Sequence, residues 1–497
     1  MRAVKISARR LADLLPPTSG TGARYLGVAE AVRLLVGDGR LLAGTVLPSE
    51  RDLAPALGVS RTTVTRAYDV LREQGVVVSR RGSGTVVAAA GLPALAGADL
   101  RGARTSGPQS LRPTPLPLGS AGLAPRAGTL DLTCAAPSGQ DELLRWFEVA
   151  LAHLPAYVHD AGYHPLGLPV LREAIARRFS ERGLPTDADQ ILVTTGALSG
   201  IAVVARAFVA PGDRVLTENP TYPGAISALR HAGARIVGIP AEGDLAQETR
   251  AVLRATPVGL ALLTPDFHNP TGRLVGTAER RELAAELRAG GVRAVADETL
   301  VETALDRETV MPAPFAACAR SALTIGSASK SHWGGLRLGW IRAPREDMPA
   351  LATARLGIDV GAPVLEQLAL AAMLADGVHV SETGRAAHAR QCAALVAAVR
   401  QTLPSWSFVE PTGGLSLWCR LPGDFSSALV ARAQALGTML VPGAAFSIDG
   451  AGLEGRLRLP FALEPDALRR AVADIARAAD DLGGRGAEAV VAATVVA

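Results

Sequence analysis

Apolar positions change their spacing twice along this chain, and each change marks a different kind of structure. Across Tyr25–Gly39, Leu26, Ala29, Val32 and Leu35 recur at helical spacing. A second helix is expected from Ser49, which can cap it, through Leu57, where Gly58 breaks it. Ser60 can cap a third helix that reaches about Gln74, before Gly75. In that helix Val64, Ala67, Tyr68 and Leu71 form one apolar face, and Arg61, Thr62, Thr65 and Arg66 fall largely on others. Val76–Ser79 and Thr85–Val87 read as short strands around the tight turn Arg80-Arg81-Gly82-Ser83-Gly84. Helix, helix, turn, helix and a basic hairpin together predict a winged helix-turn-helix over residues 1–88.

The pattern then lapses. Residues 89–128 hold 6 Pro and 7 Gly with neither helical nor strand period, and read as a semi-rigid linker. From 129 to 484 a third regime begins, with short apolar runs alternating with helical patterns. Ile191–Thr194, Arg214–Thr217, Arg235–Ile239, Leu260–Thr264, Ala294–Asp297 and Leu323–Gly326 are the expected strands. Strands separated by helices predict an α/β layered fold with a largely parallel sheet, whose chemistry sits in loops at strand ends. Residues 485–497 are expected to form a C-terminal tail.

Bulk properties narrow the class. At 497 residues the chain exceeds one ordinary core, and its 20% charged content does not read as disordered. No run of some 18 apolar residues appears, and MRAVKISARR lacks an apolar signal core. Cys134, Cys318, Cys392 and Cys419 are scattered, with no CxxC pair or zinc-like spacing. A cytoplasmic protein with reduced thiols and no metal is expected. The net charge of +4 hides a split, because residues 1–90 carry thirteen Lys/Arg against seven Asp/Glu. The first module is therefore basic and the remainder slightly acidic, which points to a polyanion as partner of the first.

A helix that reads the major groove needs a capped N-terminus with short polar side chains and arginines in its first turns. Ser60-Arg61-Thr62-Thr63-Val64-Thr65-Arg66 meets that need, and the glycines of Arg80-Arg81-Gly82-Ser83-Gly84 suit a close turn along a phosphate backbone. The stretch LPSERDLAPALGVSRTTVTRAYDVLREQGVVVSRRGSGT closely resembles the GntR-type winged helix of bacterial transcription regulators. That resemblance implies that Arg51, Arg61, Thr63 and Arg66, with Gly82 and Gly84 in the wing, contact double-stranded DNA or shape the contact. Pro55 is a departure, since it falls inside the support helix and removes a backbone hydrogen bond.

The second module carries different chemistry. Lys330 and Lys5 are the only lysines beside 49 arginines. Lysine can lose its proton and form a Schiff base with an aldehyde, which arginine cannot. A pyridoxal 5'-phosphate site needs such an amine, a carboxylate for the pyridine nitrogen, a donor to the ring hydroxyl, a stacking ring and a phosphate cup. The chain offers Thr195-Gly196-Ala197 as a cup at a helix start, Tyr222 to stack, Asn269 in Asn-Pro-Thr-Gly to donate, and Asp297 at a strand end. Lys330 would make the covalent link, with Ser327 and Arg337 on the phosphate. His268, His332 and Trp333 either line this pocket or pack behind it.

In this order the segment resembles the fold-type I aminotransferases of class I/II. The resemblance implies that Tyr163 reaches the phosphate in the partner subunit of a homodimer, and that Arg458 binds an amino acid carboxylate. Two departures stand out. Thr299 and Leu300 occupy the positions where the family has a tyrosine on the ring hydroxyl, and Ala197 lacks the cup's usual hydroxyl. A GntR-type domain, a proline-rich linker and an aminotransferase-like domain together resemble the MocR/GabR regulators. DETL, PDFHNPTG and SKSHWGGLR look most like the YczR-type branch. The resemblance implies a head-to-tail dimer whose DNA binding responds to an amino compound or to the cofactor itself. A working aminotransferase with an accessory DNA-binding domain is the alternative.

Overall fold

The computed structural model describes residues 5–15, 24–37, 41, 45–73, 76–80, 84–87, 128–378 and 382–493. The chain divides into two units, Met1–Leu111 and Arg112–Ala497. The expected linker spans that division, and all of it but Gly128 lies outside the described residues.

The first unit comprises α1 (Ala8–Leu14), α2 (Arg24–Gly37), α3 (Glu50–Leu57) and α4 (Arg61–Glu73), then antiparallel β1 (Val77–Arg80) and β2 (Gly84–Val87). The expected helices and strands agree with α2–α4, β1 and β2 to within two residues. Helix α1 was not expected: seven residues are too short to show a period, although Leu11 is fully buried in the core. Val64, Ala67, Tyr68 and Leu71 of α4 are all fully buried, as their spacing required, and the Tyr68 hydroxyl donates to Pro48 O at 2.9 Å. Pro55 lies in the last turn of α3, which ends at Leu57. Gly58 at φ 62° turns the chain there, so the missing N–H interrupts only the end of the helix.

In the second unit β3 (Leu130–Asp131) precedes α5 (Glu142–His153) and α6 (Pro169–Glu181). There follow β4 (Ile191–Thr194), α7 (Ala197–Phe208), β5 (Arg214–Asn219), α8 (Pro223–His231), β6 (Arg235–Pro240) and α9 (Leu245–Ala255). Next come β7 (Leu260–Leu263), α10 (Thr277–Ala289), β8 (Arg293–Asp297), α11 (Phe315–Cys318), β9 (Leu323–Ser327) and β10 (Gly339–Arg342). These strands form one seven-stranded sheet in the order β4-β10-β9-β8-β7-β5-β6. All six expected strands are in it. The seventh, β10, is antiparallel to both neighbours; its GWIR sequence is too short to announce itself beside the glycine-rich turn before it.

The sheet is covered on both faces, as a parallel sheet must be. Leu216, Leu263 and Ala296 point into one apolar cluster and Val215, Leu262 and Val295 into the other, following the two-residue period of strands. After α12 (Met348–Leu356) and α13 (Val364–Ala375), a smaller lobe begins with α14 (Glu382–Thr402). It continues through β11 (Ser416–Arg420), α15 (Ser426–Ala435), β12 (Thr438–Met439), β13 (Val441–Pro442), β14 (Arg456–Pro460) and α16 (Pro465–Ala493). Its sheet runs β11-β14-β13, and β12 pairs in parallel with β3. Helix α16 carries the backbone past the boundary expected at 484. Glycines such as Gly483 weaken a helix by about 1 kcal/mol each without ending it.

One buried ion pair anchors the loop after β7. Arg280 is almost fully buried and donates to Asp266 at 2.6 Å, to Val275 O at 2.9 Å, to Ala313 O at 3.1 Å and to Pro265 O at 3.3 Å. Replacing Asp266 with alanine strands that cation in the interior. Chemical denaturation of the variant is expected to show a loss of about 3–5 kcal/mol.

Candidate functional site

Strand direction and register bring the expected cofactor residues to one edge of the large sheet. Thr194 of β4 pairs with Gly339, and Gly339 with Ser327 at the end of β9. Asp297 ends β8, two strands away from β10. Because β10 runs antiparallel, its first residue lies level with the last residues of its neighbours. The loops carrying Gly196, Lys330 and Arg337 therefore leave from the same edge as Asp297.

The phosphate cup forms at the start of α7. Gly196 adopts φ 104°, a conformation glycine tolerates and other residues resist, and no side chain caps the helix. The first-turn N–H groups of α7 thus point outward with the positive end of the helix dipole. Arg337, itself at φ 51°, donates from Nη2 to Thr195 O at 3.1 Å and lies against Gly196. Ser327 Oγ donates to Leu338 O at 3.2 Å and accepts the Ser329 N–H at 3.1 Å. The Thr195 hydroxyl turns to Asp359 at 3.3 Å. With no hydroxyl at Ala197, backbone N–H groups and Arg337 are the donors left to an anion.

The ring and amine groups share one pocket. Lys330 lies under the electrostatic influence of Cys134, Arg458, Arg337 and Asp297, and Tyr222 under that of Asp297, Arg458, Cys134 and Arg337. Burial, reinforced by the two arginines, lowers the Lys330 pKa, which favours the neutral nucleophilic amine. Burial also raises the Asp297 carboxyl, whose Oδ1 accepts the Thr299 N–H at 3.0 Å. A cationic ring nitrogen would supply the charge this buried carboxylate lacks. Burial pushes Arg458 down to about 10. Its guanidinium donates to Asn269 Oδ1 at 3.3 Å and to Thr133 O at 2.7 Å, stacks 4.8 Å over Phe446, and leaves Nε without a partner among the described residues. Amine, carboxylate, amide and uncapped helix start fit pyridoxal phosphate.

Sequence reasoning missed the segment Thr133-Cys134-Ala135. Its carbonyls accept from Arg458 and, at 2.6 Å, from Lys330 Nζ. Backbone acceptors leave no trace in residue type, so nothing could have flagged them. It also missed Glu218, a buried carboxyl in the same motif as Tyr222. Leu300, which stands where a tyrosine was awaited, packs into the smaller lobe's core, and the Thr299 side chain faces the Asp297 carboxylate. His332 bonds Ser331 Oγ and Val378 O, and Trp333 rests against Gly335 and Gly139. Tyr163 is 69% exposed and makes no described contact with the pocket of its own chain.

His268 is buried, with Nδ1 2.9 Å from Thr271 Oγ1. Burial, aided by Arg273, lowers its pKa to about 3. The unfolded chain therefore binds the extra proton between pH 6.5 and 3, so stability is full above this window and falls as pH drops through it. Wild type is expected to lose about 1.4 kcal/mol per pH unit in this window relative to His268→Asn, measured by denaturation at stepped pH.

In the first unit, the exposed face of α4 is where its spacing put it. Ser60 Oγ accepts the Thr63 N–H at 3.1 Å and sits 2.8 Å from Thr63 Oγ1, so the helix is capped as expected. Arg51, Ser60, Arg61, Thr62 and Arg66 are exposed and Thr63 is half-buried. The Arg66 guanidinium lies 5.3 Å over the Tyr25 ring, which holds its stem against α2. Of the wing residues, Gly84 opens β2, while Arg81 and Gly82 lie outside the described residues. No helix among the described residues is long and apolar enough to cross a membrane.

Comparison with known proteins agrees with both halves. Residues 146–475 match the family model for aminotransferase class I and II, and residues 24–87 that for bacterial regulatory proteins of the gntR family. The chain is 32% identical over 435 residues to the probable rhizopine catabolism regulatory protein MocR of Rhizobium meliloti, covering 81% of this chain and 83% of that one. It is 30% identical over 342 residues to 2-aminoadipate transaminase of Thermus thermophilus, covering 67% of this chain and 82% of that one. Among solved structures it is similar to LysN, the alpha-aminoadipate aminotransferase of the same species complexed with N-(5'-phosphopyridoxyl)-L-leucine. The TM-score is 0.66 at 28% identity, over 72% of this chain and 94% of that one.

Proposed function

This chain belongs to the class I and II aminotransferase family, in a branch fused to a GntR-type DNA-binding domain, and we propose that its second unit is the sensor of a MocR-like transcription regulator. The sensor takes pyridoxal phosphate and an amino compound, and the first unit carries the response to double-stranded DNA. The observation that supports this most is the complete cofactor set around a half-buried Lys330 in a chain that also presents a capped, arginine-bearing helix face.

Pyridoxal phosphate supplies an aldehyde that condenses with amines and a ring that withdraws electrons. The chain's residues do the rest. The uncapped start of α7 and Arg337 would hold the phosphate, and Asp297 would hold the proton of the ring nitrogen. Tyr222 would stack on the ring, and Asn269, whose Oδ1 accepts from Arg458, would offer its amide N–H groups to the ring oxygen. Burial keeps the Lys330 amine ready to lose a proton. Arg458, desolvated and with one donor free, orients a ligand carboxylate. A ligand alters DNA binding only through unequal affinity for two arrangements of the protein.

A homodimer accords with Leu144 and Leu151 on α5 and Val158 and Tyr163 in the span between α5 and α6, all large side chains that are exposed. A working aminotransferase is the second reading, favoured by the intact Lys330, Asp297, Asn269 and Arg458. Leu300 in place of a ring-hydroxyl donor weighs against efficient turnover. Fluorescence anisotropy on DNA upstream of the protein's own gene, with and without pyridoxal phosphate and amino acids, tests the regulator. A shift in affinity on adding either ligand is expected. Sustained consumption of amino acid and keto acid by a protein indifferent to that DNA would establish the enzyme instead.

A further inference from the structure

Glu218 is a buried carboxyl for which the cofactor chemistry above has no use. It lies on β5, and its Oε1 accepts the N–H of Thr264, just past the end of β7, at 2.8 Å. Strand β7 lies between β5 and β8, and its pairing Leu263↔Ala296 sets Thr264 level with Asp297. Neighbouring strands are about 4.8 Å apart, so the Glu218 carboxyl reaches the middle strand and stops roughly one spacing from the backbone of Asp297. Glu218 is 2% exposed, Asp297 is 9% exposed, and Glu218 Oε2 is buried with no hydrogen-bond partner among the described residues.

Two carboxyls in such a setting do not both ionise readily, because each desolvated charge raises the free energy of the other. Besides Asp297, the charge facing Glu218 is Arg273, on the segment after β7. That segment also carries Asp266, taken up by Arg280, and the buried His268. Burial, with Asp297 adding, raises Glu218 to about 7, against its bond from Thr264 and the pull of Arg273.

We propose that Glu218 is the proton-carrying partner of Asp297 across the end of β7, and that loading the cationic cofactor ring against Asp297 drives the Glu218 proton into solvent. This rests on the reading of the site as one for pyridoxal phosphate. The pair carries a single negative charge when empty and two when the ring nitrogen's positive charge arrives. Loading then tightens as pH rises through neutrality, and the regulator's cofactor content depends on pH. Glu218 is a positioning residue here, acting on the ring through Asp297.

Glu218→Gln keeps an acceptor for Thr264 and cannot ionise. Melting of the cofactor-free full chain between pH 5 and 8 is the first measurement. A carboxyl raised on folding makes the folded state hold the extra proton, so wild type is expected to lose Tm relative to E218Q as pH rises to about 7 and to run parallel above it. The second is calorimetric titration with pyridoxal phosphate at pH 6.5 in two buffers of different ionisation enthalpy. Wild type is expected to release more protons than E218Q, by up to about one per site. In wild type alone, loading should bleach an infrared band of a protonated carboxyl. Parallel melting profiles and equal proton counts overturn the proposal. Wild type that takes up no pyridoxal phosphate overturns the functional reading instead, and diverging melting profiles would still establish the proton on Glu218.

Discussion

Lys330→Ala is expected to abolish covalent retention of pyridoxal phosphate. After loading, reduction with borohydride and denaturation, wild type should carry the added mass of the cofactor and the variant none. Reversible binding should persist, because the start of α7, Arg337 and Asp297 are untouched, but about 100-fold weaker, a loss of about 2.7 kcal/mol. The empty variant should melt close to wild type. The Lys330 amine is desolvated and donates to Ala135 O, so its removal also relieves a buried polar group. Unchanged melting beside lost retention separates a chemical role from a structural one. A variant that still holds the cofactor through reduction would show that another amine makes the link. Lys5 is the only other lysine, and it lies in the other unit.

Arg61→Ala is expected to weaken operator binding by about 1–3 kcal/mol if the side chain reads a base edge, with relaxed discrimination at that position. If it grips a phosphate, the loss should be nearly uniform across sequences, and the slope of log affinity against log salt should fall by about one. Anisotropy titrations on the operator and a scrambled duplex over a salt series distinguish the two. Neither outcome should involve unfolding, because Arg61 is exposed on the first turn of a helix whose buried face is Val64, Ala67, Tyr68 and Leu71. Arg66→Ala has a second consequence, since it also removes the packing on Tyr25.

These expectations differ in what they draw from. The helices and hairpin of the first unit were legible because period and caps act locally: Ser49, Gly58 and Ser60 each do their work within a few residues. The central parallel strands were legible because burial on both faces demands unbroken apolar runs, and the edge strand β6 because its Arg-Ile-Val-Gly-Ile run stands between two helices. Pattern failed where an element was too short for a period, as in α1, or was defined by its partners, as in β10. Lys330 announced itself through composition, since a chain with 49 arginines has no need of a lysine for charge alone.

By itself, then, the sequence determined the two kinds of module, the recognition helix and wing of the first, the six parallel strands of the second, and the residue types that can hold a cofactor and meet DNA. These follow from side-chain chemistry and short-range geometry, which the chain carries wherever it goes. Only the tertiary structure decided which of those residues share a pocket. It set Arg458 on Asn269 and Thr133, put Ala135 O on Lys330, and turned Leu300 into a core. It also set Glu218 on the Thr264 N–H at the end of β7. Those contacts join residues dozens to hundreds of positions apart, and desolvation, which sets the charge of each group, exists only once the fold has excluded water.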